Sequence, residues 1–141
     1  ADPALQRALG WAKTEEALPI ALARQAFVRG EMIWRGDTRM IYVIGRDGRW
    51  QVHPDTFVEG EPEQDPAITP PDGLFQPIRG FGKLWRSDPK VRERTGWALA
   101  KEQGYGGFVQ EFERGLLISG GDRTLALIAQ DGNLEMGTVW N

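Results

Sequence analysis

The chain has 141 residues, no cysteine, one histidine and a formal net charge of -3. That length supports one ordinary domain with a sizeable core. The composition excludes disulfides and thiolate metal sites, and His53 alone leaves little for a histidine-based zinc or iron site. Both charge signs are interspersed, which argues against nucleic acid as the main partner because phosphate binding draws on a net basic face. No run approaches the roughly 18 to 20 apolar residues of a membrane-spanning helix, so no membrane span is expected.

In chain order, Asp2 and Pro3 open a helix: the carboxylate accepts from free first-turn amides, and proline at the first helical position has no N–H to leave unpaired. Leu5 and Leu9 share a face, and Gly10 suits the left-handed residue that ends a helix. Trp11 follows, where an apolar side chain commonly folds back on the helix, and is expected to be a core anchor. A β-meander comes next. Gln25 to Val28 and Met32 to Trp34 flank a reversal at Arg29-Gly30, and Met40 to Ile44 is an apolar run suited to a central strand covered on both faces. Arg46-Asp47-Gly48 is a hairpin signal leading into Trp50-Gln51-Val52.

Residues 59 to 80 are rich in Pro, Glu and Gly, with Pro62, Pro66, Pro70, Pro71 and Pro77, and read as an extended, stiff strap that ends in the aromatic stretch through Trp85. Acids at Glu59, Glu61, Glu63 and Asp65 precede a basic cluster spanning Arg79 to Arg94, a pairing expected to be a solvated surface whose two signs partly answer each other.

The elements then repeat. DPALQRALGWAKTEE (2 to 16) lies over DPKVRERTGWALAKE (88 to 102) at a constant offset of 86, and QAFVRGEMIW (25 to 34) lies over QEFERGLLIS (110 to 119) at 85. MIYVI lies over LALIA, and Asp47-Gly48 over Asp131-Gly132 at 84. Trp97 takes the place of Trp11 as a second core anchor. The expected fold class is α+β, mainly antiparallel β, with two pseudo-symmetric repeats, each a short helix plus a four-stranded meander. Residues 2–58 form repeat 1, 59–87 the strap and 88–140 repeat 2, all within one compact domain, 1–141.

Gly-apolar-small, a following acid and then Q-x-F-x-x-G-x-apolar-apolar occur at Leu9-Gly10-Trp11-Ala12, Glu16 and Gln25 to Trp34. They recur at Gly96-Trp97-Ala98, Glu102 and Gln110 to Ser119. The pattern resembles the LGFP-type repeats of bacterial cell-surface and secreted proteins. With Phe75 to Arg86 joining the copies, the whole is also similar to a duplicated extracellular module of filamentous green bacteria (Chloroflexi). The resemblance implies an exported, accessory protein of attachment or envelope organisation, any secretory leader having been removed or lying outside the chain. Where LGFP repeats often carry Tyr-Trp, this chain has Ile33-Trp34 and Ile118-Ser119.

No catalytic set assembles from the sequence. Serine chemistry needs a hydroxyl, a base and an orienting acid, and only Ser87, Ser119 and His53 are on offer, without a G-x-S-x-G elbow. The Asp-Gly turns lack the alternating ligands of a calcium loop. Gly80-Phe81-Gly82 and Gly104-Tyr105-Gly106-Gly107 follow no phosphate-binding signature. Catalytic, metal and cofactor sites are therefore expected to be absent.

Candidate ligand-binding residues are the aromatics Trp34, Tyr42, Trp50 and Trp85, which can stack on sugar rings, with Arg79 beside them. Trp34 and Trp50 become Ser119 and Leu134 in the second copy, so the shared fold does not require them. The expected function is a non-enzymatic, extracellular or cell-surface attachment and assembly module. A glycan-binding module and a carboxylate glycoside hydrolase are the alternatives. Partners are self-association or an envelope glycan. For self-association, the first copy lacks the lead-in that FGKLWRS gives the second, leaving apolar surface near Leu5, Leu9 and Trp11 uncovered. The competing expectation is that residues 59–80 fold back over that face.

Overall fold

The computed structural model describes residues 2–140. It is mainly antiparallel β with three short helices. A seven-residue helix, α1 (Pro3–Leu9), precedes β1 (Leu18–Phe27), β2 (Gly30–Arg35), β3 (Met40–Gly45) and β4 (Arg49–Pro54). Then come α2 (Arg79–Ser87), α3 (Pro89–Thr95), β5 (Gln103–Phe112), β6 (Gly115–Gly120), β7 (Arg123–Gln130) and β8 (Asn133–Val139). The strands close into a barrel in the order β1-β2-β3-β4-β8-β7-β6-β5. First strand meets first strand at the β1–β5 seam and last meets last at the β4–β8 seam, both antiparallel. Closure pairs the outer strands of the two meanders with each other.

The helix ends follow the residues that punctuate them. Asp2 accepts from the Ala4 and Leu5 amides at 2.9 and 3.2 Å, and Asp88 accepts from Lys90 at 3.0 Å. Gly10 and Gly96 close the two seven-residue helices at φ of 78° and 70°.

Alternation along the strands sorts the apolar residues into two cores. Inside the barrel lie Leu22, Ile33, Tyr42, Ile44, Trp50, Val109, Leu116, Ile118 and Leu127. Outside it, Ala23, Phe27, Met32, Ile41 and Val43 on β1–β3 are covered by Phe81 and Trp85 of α2, Val91 of α3 and Ala98. Burial on both faces explains why β3 reads as an unbroken apolar run.

One expectation is corrected. Residues 79–87, assigned to the strap segment, form a third helix, α2, because Phe81 and Trp85, four apart, form an apolar stripe that packs on the outer core. The two hairpins also differ in register. β2 and β3 are joined through residues 36–39, but β6 and β7 through 121–122 only. Met32 consequently faces Val43, whereas Leu117 faces Ala126 rather than Ile128. The slip is two residues, so every side chain keeps its face.

Each seven-residue helix docks on the hairpin of the other half. Val28 and Arg29 amides donate to the Trp97 and Thr95 carbonyls, both at 2.9 Å, and Leu99 donates to Ala26 at 2.8 Å. In the other half Glu113 and Arg114 donate to Trp11 and Leu9, both at 2.9 Å, and Lys13 donates to Glu111 at 2.8 Å. Side chains reinforce both docks. Gln25 Nε2 donates to the Ala100 carbonyl at 2.9 Å and Gln110 Nε2 to Thr14 at 3.1 Å. The Arg29 guanidinium caps the last turn of α3 at Glu93, and Arg114 caps α1 at Arg7 and Ala8. These carbonyls have no intrahelical partner, so each arginine satisfies an orphan acceptor.

The shared glycine has its own reason. A Cβ on Gly30 would stand 2.2 Å from the Ile44 carbonyl oxygen, and one on Gly115 2.1 Å from that of Leu127.

Candidate functional site

A cleft of about 620 Å³ opens between the outer face of β1–β2 and the segment that links the halves. Trp34 forms its wall on the barrel side, Arg39, Asp55 and Phe57 one rim, Arg79 and Phe81 another, and Glu102 its far side. A neighbouring groove of about 800 Å³ shares Arg79 and Glu102 and continues past Gln25, Ile68 and Phe75.

Trp34 is half-buried, and its indole Nε1 is buried without a hydrogen-bond partner among the described residues. Such an orphan donor is costly where it stands and is satisfied by whatever acceptor enters. Asp55 is held by the Phe57 amide at 3.0 Å and approaches the backbone of α2 where Gly80 has no side chain: a Cβ there would meet its carboxylate at 2.6 Å. Burial raises the Glu102 carboxyl above the ordinary carboxylate range, Arg79 opposing and Asp55 assisting. The cleft thus presents an indole N–H, two carboxyls and two guanidinium groups.

Arg79 sits at φ 53°, a conformation a non-glycine residue rarely adopts. It is held there by Glu59 at 2.8 Å, Glu63 at 3.0 Å and the Phe57 ring, whose centroid lies 4.9 Å from the guanidinium carbon. Lys83 pairs with Glu61 at 2.9 Å. The acidic run and the basic run answer each other as the sequence suggested, and Arg79 anchors the linking segment as well as lining the cleft.

Of the five sequence candidates, the fold brings only Trp34 and Arg79 together. Tyr42, Trp50 and Trp85 are corrected to core residues. Tyr42 (6% exposed) and Trp50 (1%) fill the barrel, and Trp85 (1%) fills the outer core. Each large aromatic lies on a face that closure or α2 covers, beyond reach of an external sugar ring. Trp50 Nε1 donates to the Ile128 and Thr138 carbonyls at 3.2 Å each, and Trp85 Nε1 to Gly96 at 2.9 Å. Asp55, Glu102 and Arg39 escaped sequence reasoning because they come from three separate segments with no motif between them.

The tryptophan expected as a core anchor in the first half is exposed. Trp11 is 77% accessible, while Trp97 is half-buried with its ring centroid 5.2 Å from that of Trp85. The uncovered surface expected around Leu5, Leu9 and Trp11 is only partly found: Leu9 is 2% exposed and Leu5 half-buried. Residues 59–78 do not fold over that face. They lie against α2 and the outer core through Ile68 and Phe75. Apolar surface is instead exposed at Trp11 and on β5, where Phe108 is 50% exposed and Phe112 half-buried, with Leu117 of β6 half-buried as well. A signal for it was present in the sequence: Phe108 stands where the aligned half has the small Ala23.

The serine and histidine candidates are not brought together. Ser87 Oγ donates to the Lys83 carbonyl at 2.7 Å, and Ser119 Oγ lies 3.2 Å from Thr124 Oγ1. His53 is half-buried, and burial holds its imidazole below the ordinary range against the pull of Asp88 and Glu135. No group of three or more His, Asp or Glu suited to a metal ion occurs among the described residues, and no helix is long and apolar enough to cross a membrane. No protein-family model, curated protein or solved structure matches the chain.

Proposed function

We propose that the chain is a non-enzymatic attachment or assembly module of the cell exterior, built from two copies of one helix-plus-meander unit whose helices dock on each other's hairpins. One observation carries the attachment reading: equivalent faces of the two halves are treated differently. Much of the outer face of β1–β3 is covered by α2, whereas Trp11 and Phe108 in the other half are exposed. Large aromatic side chains exposed on a closed barrel are the kind of surface that marks an interaction site. The test is retention on purified bacterial cell envelope, with light scattering to follow self-association. Retention or concentration-dependent association that a Trp11→Ala, Phe108→Glu double variant loses supports the module. A monodisperse monomer that envelope material does not retain overturns it.

The cleft favours a second reading, glycan binding, because the unpartnered Trp34 indole lies beside polar groups able to bond ring hydroxyls. Calorimetric titration with envelope oligosaccharides, repeated with Trp34→Ala, decides it. Should a glycoside panel be turned over and Glu102→Gln abolish that turnover, the cleft is instead a carboxylate hydrolase site.

A further inference from the structure

The basic run from Arg79 to Arg94 is only partly answered by the acids that precede it. Arg79 and Lys83 pair with Glu59, Glu61 and Glu63, and Arg86 donates to the Glu63 carbonyl at 3.2 Å. Past α2 the run has other neighbours. Lys90, Glu93 and Arg94 of α3 meet Arg29 of the β1–β2 turn and Arg46 and Asp47 of the β3–β4 turn around a hollow of about 530 Å³. Four cations there face two carboxylates, although the whole chain carries a net charge of -3.

The backbone holds these charges together. Arg29 is fixed on the Glu93 carbonyl, and its own carbonyl accepts from the Arg46 amide at 2.7 Å. Arg94 pairs with Asp47 at 3.3 Å beside Gly45, where a Cβ would stand 3.0 Å from the Arg94 guanidinium. Asp47 is further engaged by the Arg49 amide at 3.0 Å. The Arg46 and Lys90 side chains are exposed and make no ion pair or hydrogen bond among the described residues. Like charges gathered this way repel, so an anion that enters relieves the repulsion as well as bonding the free donors.

The other half shows that the architecture does not need these cations. Ala129 donates to the Arg114 carbonyl at 2.8 Å as Arg46 does to that of Arg29, and Ala4 and Ala8 align with Lys90 and Arg94 at the offset of 86. Of the four cations only Arg114 persists, with Arg7 in the place of Glu93. Three cations thus converge where alanine serves the same fold.

A second hollow, of about 390 Å³, adjoins the first. It shares Arg29 and Glu93 and reaches Arg92 and the half-buried Trp97. Donors suited to a carboxylate or phosphate therefore lie next to an aromatic ring, and such a ring takes the apolar face of a sugar.

We infer that this pair of hollows binds an anionic polysaccharide, a sugar chain bearing carboxylate or phosphate groups. The anionic groups seat on Arg46, Lys90 and Arg29, and a neighbouring sugar ring packs at Trp97. The net negative charge of the chain disfavours nucleic acid, and the adjoining indole favours a sugar chain over an acidic peptide. The inference rests on the attachment reading and names the chemistry of the partner, at a place separate from Trp11 and from the Trp34 cleft.

The probes are labelled polygalacturonate, which carries carboxylates, and labelled phosphomannan, which carries phosphates, each titrated with the intact chain by fluorescence anisotropy. Dextran is the neutral control and polyglutamate the acidic-peptide control. Saturable binding of at least one anionic glycan is expected, tighter than either control and weakening as salt rises; which glycan binds identifies the anionic group. The double variant Arg46→Ala, Lys90→Ala copies the residues of the other half and is expected to lower affinity by about tenfold or more. Arg46→Gln with Lys90→Gln repeats the measurement with longer side chains kept, and circular dichroism checks that both variants remain folded. Binding of neither glycan overturns the inference, as does a control that binds as tightly as the glycans, or glycan binding that both double variants leave unchanged. Envelope retention of a parent chain that binds neither glycan overturns this inference and leaves the attachment reading standing; loss of both overturns both.

Discussion

Arg29 Nη2 donates to the Glu93 carbonyl at 2.6 Å, and Nε of the same side chain donates to it at 3.1 Å, tying the first hairpin to the last turn of a helix more than sixty residues away in sequence. Arg114 makes the reciprocal tie to α1. Arg29→Ala and Arg114→Ala each remove a charge-assisted cap at a partly exposed site, expected to cost about 1 kcal/mol. The two docks share no partner, so the double variant loses about the sum. Urea midpoints at unchanged slope check this; strong non-additivity would mean that the two docks are not independent.

Trp11 and Trp85 separate an exposed residue from a core residue. Trp85→Ala removes a fully buried ring and its bond to Gly96, with an expected loss of about 3–5 kcal/mol. Trp11→Ala, at 77% exposure, is expected to change stability by no more than about 0.5 kcal/mol. Thermal denaturation of both variants in one buffer gives the comparison, and a large loss for Trp11→Ala would show that it packs within the chain.

Trp50 fills the barrel and satisfies two carbonyls from β7 and β8. Trp50→Phe leaves both acceptors without that donor in a dry interior and is expected to cost about 2–3 kcal/mol from the unpaired groups and lost volume. The β4–β8 seam has the shorter ladder, three residue pairs against seven at β1–β5. Amide exchange in this variant should therefore accelerate first along β4 and β8.

Glu31 supplies a pH signature. Its side chain is 15% exposed; burial alone would raise its carboxyl, but Arg123 at 3.0 Å and Arg24 at 3.3 Å outweigh that and hold it below its ordinary value of 4.5. A depressed carboxyl contributes stability that is fully present above the unfolded value and is lost as pH falls through the folded one. Glu31→Gln should thus be less stable than the parent at pH 7, and the gap should close as pH drops below about 4. Paired melts at several pH values test this; a gap that persists at the acid end would place the effect in packing rather than charge.

The local grammar of the chain is legible in its sequence alone. Asp2-Pro3 and Asp88-Pro89, the closing glycines and the Asp-Gly turns act over three or four residues, so their conformations follow from their own side chains. The recurrence of Gln, Phe, Arg and Gly is also visible in the sequence, but its cause is not. Gln25 and Arg29 bond main-chain atoms of the opposite half, and Gly30 yields space to a carbonyl of the neighbouring strand.

Tertiary structure alone decided the rest. Alternation marks which residues share a face and not whether that face turns inward or is later covered. Tyr42, Trp50 and Trp85 therefore read as candidates until barrel closure and the packing of α2 on the outer core buried them, while Trp11 read as core but is 77% exposed. Likewise, the two-residue register difference between the hairpins is set by turn geometry and preserves the pattern of faces, so it leaves no mark on the alternation. The cleft gathers Trp34, Asp55, Arg79 and Glu102 from four separate segments, a convergence that only the long-range closure of the chain creates.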